Sequence, residues 1–202
     1  EHDLNFCVQG PPGTGKTFLL SQIRKHLEER GEKVACIAPT NQAARLIDGE
    51  TCHRFVTRHA MRGSFKGWIL LDEVSMCPIS ILFALDQLRL NGTKIVTFGD
   101  WEQIPAIPAS NSFRGQIVDQ EAFKKSKLFF DWADGMRFVL RRCRRSDQAH
   151  FDFYIGMSKN VGSALKQARK RYRQSDDAEL HVTISHKKRR LLNAEKQLKA
   201  SQ

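Results

Sequence analysis

The chain has 202 residues, 41% of them hydrophobic, and a formal net charge of +11. That length holds one full α/β domain but not two. No run of about eighteen apolar residues offers a membrane span, and no charged-then-apolar secretion signal opens the chain. The opening residues Glu1-His2-Asp3 include no initiator Met, so a preceding segment is expected.

Taken in chain order, Phe6-Cys7-Val8 reads as a short buried strand that runs into Gly10-Pro11-Pro12-Gly13-Thr14-Gly15-Lys16-Thr17. This octapeptide fits G-x-x-x-x-G-K-[ST] at every fixed position. The glycines let backbone N–H groups curl around phosphates, Lys16 adds a point charge, and the Thr17 hydroxyl is a ligand for Mg²⁺. Leu19, Leu20, Ile23 and Leu27 form the apolar stripe of a following helix, which Gly31 stops. An anion at that helix N-terminus also gains from the backbone dipole. The segment therefore predicts nucleoside triphosphate binding.

Lys33 to Ala38 predicts a second strand, ended by Pro39, and Trp68 to Leu71 a third. A helix carrying Ile81, Leu82, Leu85 and Leu88 follows, then a fourth strand over Lys94 to Phe98 and a fifth over Phe138 to Leu140. Alternating strands and helices imply a parallel sheet with helices on both faces. Gln103 to Asp134 is a long connection expected to form a functional surface loop with short helices. Ser158 to Gln174 predicts a basic helix, Ser175-Asp176-Asp177 a break, His181 to Ile184 a strand and Lys187 to Ala200 a helix. The domain boundaries so read are 1–174 and 175–202.

The third strand ends in Asp72-Glu73, and a strand end places both carboxylates in the crevice that holds the phosphate loop. Asp72 is suited to hold the Mg²⁺ shell. Glu73 is suited to polarise the attacking water, because in-line phosphoryl transfer needs an oriented nucleophile and charge neutralisation. Charge is distributed unevenly: residues 1–136 hold 16 Lys+Arg against 16 Asp+Glu, and residues 137–202 hold 17 against 6. The excess lies in Arg141-Arg142-Cys143-Arg144-Arg145, Arg169 to Arg173 and Lys187-Lys188-Arg189-Arg190, which points to a polyanionic partner. The last of these also has the form of a nuclear localisation signal. Five scattered cysteines without a C-x-x-C pair imply a reduced, intracellular setting.

Further segments carry a family resemblance. Ala38-Pro39-Thr40-Asn41-Gln42-Ala43-Ala44 and Thr51-Cys52-His53-Arg54-Phe55 resemble motifs Ia and Ib of superfamily 1 helicases. Phe98-Gly99-Asp100-Trp101-Glu102-Gln103-Ile104-Pro105 resembles their motif III, and Leu140 to Asp147 their motif IV. With Leu71-Asp72-Glu73-Val74-Ser75-Met76, the set is most similar to the Pif-type and RecD-like helicases that translocate 5′→3′ on single-stranded DNA. The match covers residues 6 to about 155. The resemblance implies a RecA-like P-loop NTPase fold for the first domain, ATP and Mg²⁺ as cofactors, and the start of a second RecA-like domain near the end of the chain. It makes Lys16, Glu73, Gln103 and Arg144 the catalytic set, with Gln103 sensing the γ-phosphate and Arg144 as arginine finger. It sets Thr40, Asn41, Thr51, His53 and Phe55 along the single strand, the last two as stacking faces. Arg145 stands where the family usually has Gln, which leaves Arg142 and Arg145 as alternative fingers. An adenine-reading Q motif is absent from the sequence. Two other classes stay open at this level, an AAA+-type ATPase acting on proteins and a non-catalytic nucleic-acid-binding module.

Overall fold

Apolar runs become strands here where alternate residues are buried on opposite faces of one sheet. The computed structural model describes residues 5–59, 64–102, 124–157, 161–172 and 186–200. The chain divides into two compact units, Glu1–Ser158 and Lys159–Gln202. In the first, the described elements are β1 (Phe6–Gln9), α1 (Lys16–Glu29), β2 (Val34–Ala38), α2 (Asn41–Leu46), β3 (Glu50–Thr51), α3 (Cys52–His59), β4 (Trp68–Leu71) and a 3₁₀ turn over Val74–Met76. After these come α4 (Ile79–Leu90), β5 (Lys94–Gly99), α5 (Lys127–Trp132), β6 (Arg137–Val139) and α6 (Gln148–Met157). The second unit contains α7 (Val161–Arg171) and α8 (His186–Ala200). The predicted strand at His181 to Ile184 and the residue Gln103 lie outside the described residues.

All pairings in the six-stranded sheet are parallel, in the order β3-β2-β4-β5-β1-β6. Strand β4 shows why it is covered on both sides. Ile69 and Leu71 enter one core with Phe55, Leu82, Leu85, Phe129 and Trp132, while Trp68 and Leu70 enter the other with Leu20, Leu27 and Ala44. Helices α3, α4 and α5 thus pack on one face and α1 and α2 on the other, and β4 itself is buried throughout. Each large side chain so buried contributes roughly 1.5–3 kcal/mol. The stop after α1 forms as its sequence predicts. Gly31 adopts φ +76°, its N–H reaches the Glu28 carbonyl at 2.9 Å, and the Glu32 N–H reaches the Leu27 carbonyl at 3.0 Å.

Strand β3 escapes a reading by hydrophobic pattern because it is two polar residues long. It still matters, because Ala38 and Thr51 pair across β2 and β3 and bring the starts of α2 and α3 to the same end of the sheet. In the second unit, Arg169, Lys170, Arg171, Lys187, Lys188, Arg189 and Arg190 are exposed on their helices. Among the described residues, no helix is long and apolar enough to cross a membrane.

Candidate nucleotide-binding active site

Because every strand runs the same way, the segments that follow β1, β4, β5 and β6 leave one edge of the sheet together. After β1, Gly10 passes so close to its neighbours that an added Cβ would lie 2.6 Å from the Leu140 carbonyl oxygen. No other residue fits there without moving backbone. Gly15 caps α1 with φ +96°, and Lys16 opens the helix. The Lys16 Nζ folds back over the loop and donates to the carbonyls of Gly10 at 2.6 Å and Pro11 at 3.1 Å. Burial pushes its pKa down, against the pull of Asp100, Glu73 and Asp72. The ammonium is thus held in a partly dry cleft, where its charge acts strongly on an entering anion.

The end of β4 delivers Asp72, whose Oδ2 lies 3.5 Å from the Thr17 hydroxyl and whose Oδ1 accepts the Glu73 N–H at 2.9 Å. Glu73 sits in the left-handed region at φ 53°, a conformation that costs energy for a non-glycine residue and is retained where function requires it. Its Oε2 is buried without a hydrogen-bond partner among the described residues. Burial raises the pKa of both carboxyls; for Glu73 the Asp72 charge adds to the rise and Lys16 opposes it. Following β5, buried Asp100 accepts the Glu102 N–H at 3.0 Å and is the foremost negative charge acting on Lys16. The motif containing Asp100 is plain in the sequence, but a place beside Lys16 shows only once β1 and β5 are paired.

The segment after β6 closes the site from the other side. The Leu140 N–H bonds the Gln9 carbonyl at 2.8 Å, and the Arg144 N–H bonds the Gly13 carbonyl at 2.8 Å. Arg141, Arg142, Arg144 and Arg145 are exposed, without an ion pair among the described residues. The Arg145 side chain, not that of Arg144, lies against Gly13: a Cβ there would be 3.0 Å from the Arg145 Cβ. The Arg145 charge also reaches Lys16. Tyr154, which sequence reasoning passes over, donates its hydroxyl to the Pro12 carbonyl at 2.5 Å.

Lys16, Thr17, Asp72 and Glu73 are therefore brought together, as their motifs predict, and Arg144 reaches the same loop through its backbone. The candidate nucleic-acid residues lie apart from this cluster, with Thr40 and Asn41 at the start of α2, Thr51 at the end of β3, and His53 and Phe55 on α3. The Thr40 hydroxyl caps α2 by accepting the Ala43 N–H at 3.2 Å, and the Thr51 hydroxyl accepts the Arg54 N–H at 3.4 Å. Thr40, Asn41 and His53 are exposed. Phe55 requires a correction. It is 1% exposed and packs edge-to-face on Phe65, so its ring is core and offers no face to a base. A single aromatic on a short helix turns inward because burying it stabilises the fold more than exposure does.

A sequence model of the AAA domain matches residues 1–128. The chain belongs to the AAA domain family. It is similar to ATP-dependent DNA helicase PIF1 of Trypanosoma brucei brucei, 31% identical over 165 residues. It is also similar to ATP-dependent RecD2 DNA helicase of Deinococcus radiodurans, 28% identical over 115 residues. These alignments take in 66% and 50% of the chain but 17% and 16% of the relatives. Among solved structures, the Pif1 helicase from Candida albicans superposes with TM-score 0.72 at 21% identity, covering 96% of this chain and 51% of that one. Pif1 helicase from Bacteroides in complex with ADP-AlF3 and ssDNA superposes with TM-score 0.70 at 19% identity, covering 97% and 54%. The RecA-like fold of the first unit and the resemblance to Pif-type and RecD-like helicases are thereby established. The chain spans only a part of each of these proteins.

Proposed function

We propose that this AAA domain is the ATP-hydrolysing motor half of a DNA helicase or translocase that moves along single-stranded DNA, 5′→3′. One observation carries the reading. A buried lysine, a threonine hydroxyl, an aspartate and a glutamate with an unpartnered buried oxygen meet at the mouth of a glycine-rich loop. The relatives' names supply the nucleic-acid half of the reading, since the relatives are DNA helicases and a neighbouring structure contains ssDNA.

The residues fit Mg²⁺. Thr17 and Asp72 provide hard oxygen atoms, and this ion takes few protein ligands, filling its shell with water and phosphate. Among the described residues no group of three or more His, Cys, Asp or Glu side chains is placed to hold a metal ion by itself. When bound, the ion neutralises charge on the transferred phosphoryl group. The chain's own residues then divide the work. Loop N–H groups and Lys16 hold the phosphates, and the free Glu73 oxygen orients and polarises the attacking water. Gln103 senses the γ-phosphate, and an arginine of the Arg142 to Arg145 run stabilises developing charge. Thr40, Asn41, Thr51 and His53 follow the strand. The region past residue 174 begins a second RecA-like domain, whose closure on the first converts hydrolysis into movement. Five free cysteines suit an intracellular protein.

The test is ATP hydrolysis by the full-length natural protein with and without single-stranded DNA. We expect DNA-stimulated turnover, abolished by Lys16→Ala together with at least severalfold weaker Mg·ATP binding. Hydrolysis stimulated by a protein partner and indifferent to DNA would contradict the proposal.

A further inference from the structure

Two of the phosphate loop's carbonyls are held from outside by the segment that follows β6. The Arg144 N–H takes the Gly13 carbonyl and the Tyr154 hydroxyl takes the Pro12 carbonyl. No peptide bond described is cis, and in a planar trans peptide the C=O and the next N–H point in opposite directions. Fixing the Pro12 carbonyl therefore fixes the Gly13 N–H, and fixing the Gly13 carbonyl fixes the Thr14 N–H, each turned away from the donor that holds its carbonyl, Tyr154 and Arg144 respectively. These two donors matter more here than in a loop of other composition. Pro11 and Pro12 have no N–H, and the Gly10 N–H is spent on the Gly99 carbonyl at 3.3 Å. The N–H groups of Gly13 and Thr14 have no partner among the described residues, which leaves them for a ligand.

We infer that Tyr154 is a positioning residue for nucleotide binding: with the Arg144 amide it holds the loop peptides in the orientation that presents the Gly13 and Thr14 N–H groups to a phosphate. The inference rests on the nucleotide-binding reading proposed above. Tyr154 is well placed for the task. Its helix begins beside the arginine run, where Asp147 Oδ1 accepts the His150 N–H at 2.8 Å and so caps the first turn. Phe151, 4% exposed, anchors the helix and stacks edge-to-face on the Tyr154 ring at 5.3 Å. Burial and the neighbouring Cys143 raise the Tyr154 pKa to about 12, so the hydroxyl remains a donor at physiological pH. Loop amides of this kind serve the phosphates common to di- and triphosphates. Tyr154 should thus act on ground-state binding of ADP and ATP alike.

Tyr154→Phe keeps the ring and removes only the donor. In the full-length protein it should weaken ADP and ATP, measured with fluorescent analogues, by the same factor of about three to ten, the worth of one neutral hydrogen bond. Hydrogen exchange in the peptide covering residues 10–17 should quicken without nucleotide, while the melting temperature stays near that of the parent. If the parent binds both nucleotides and the variant binds them equally well, the positioning role is overturned and the proposed function stands. A weakening matched by a general fall in melting temperature would also overturn it, since packing alone would then explain the loss. If the parent binds neither nucleotide, both readings fall.

Discussion

Cys143 shows how a single residue takes its chemistry from its neighbours. The Ser146 hydroxyl lies 3.4 Å from its Sγ and the Ser146 N–H donates to it at the same distance, which favours the thiolate and lowers the pKa to about 7. The other four cysteines are buried; burial raises Cys7 and Cys36, the latter to about 11, and the hydrogen bond with the Cys52 thiol together with burial raises Cys77. Iodoacetamide should therefore label Cys143 first. Because the thiolate is the nucleophile, the labelling rate should climb about tenfold per pH unit below 7 and level off above 8. Peptide mapping that finds a rate still climbing about three- to fivefold from pH 8 to 9 would show an ordinary thiol. The sequence gives the cysteine but not this environment, since the pKa depends on a turn that the residue types alone do not specify. Lys16, Thr17, Asp72 and Glu73 are legible for the opposite reason. Backbone cradling of phosphate demands glycines at fixed spacing, and a carboxylate pair ending an apolar run has few other places to be.

Elements divide along the same line. Helices α1 and α4 and strands β1, β2, β4 and β5 carry long apolar signals, and each forms close to its expected span. Strand β3 is too short to leave a pattern. Tyr154 meets Pro12 across 142 residues of chain, and no local periodicity encodes that meeting. Phe55 shows a different limit: a motif marks the segment α3 as important without saying which of its side chains face outward. Phe55→Ala should cost about 3–5 kcal/mol of unfolding free energy in a denaturant titration, as for other buried aromatics. Its effect on DNA affinity should follow that loss. A variant as stable as the parent but with DNA binding weakened by ~1–3 kcal/mol would restore the stacking role. For α8, neutralising Lys187, Lys188, Arg189 and Arg190 should flatten the dependence of DNA affinity on salt, read by fluorescence anisotropy, because every phosphate left without a cationic partner keeps its condensed counterion. An unchanged slope would make this run a solvated helix face.

At the scale of the molecule, a charge-balanced first part with the nucleotide site is followed by a strongly basic remainder. The parallel sheet gathers four strand ends into the site and sets Thr40 and Thr51 at the ends of β2 and β3, on the same edge. On the proposed function, nucleotide chemistry and strand binding would share this one sheet, which would couple hydrolysis to movement. The central claim is that the cluster at this edge performs hydrolysis and does not merely bind nucleotide. Glu73→Gln tests it most directly, because it keeps the side chain's shape and removes the charge that polarises water. In the full-length protein with single-stranded DNA, Mg·ATP should bind as tightly as before while turnover falls by ~10²–10⁴. Undiminished turnover, or affinity falling in step with it, would contradict the account.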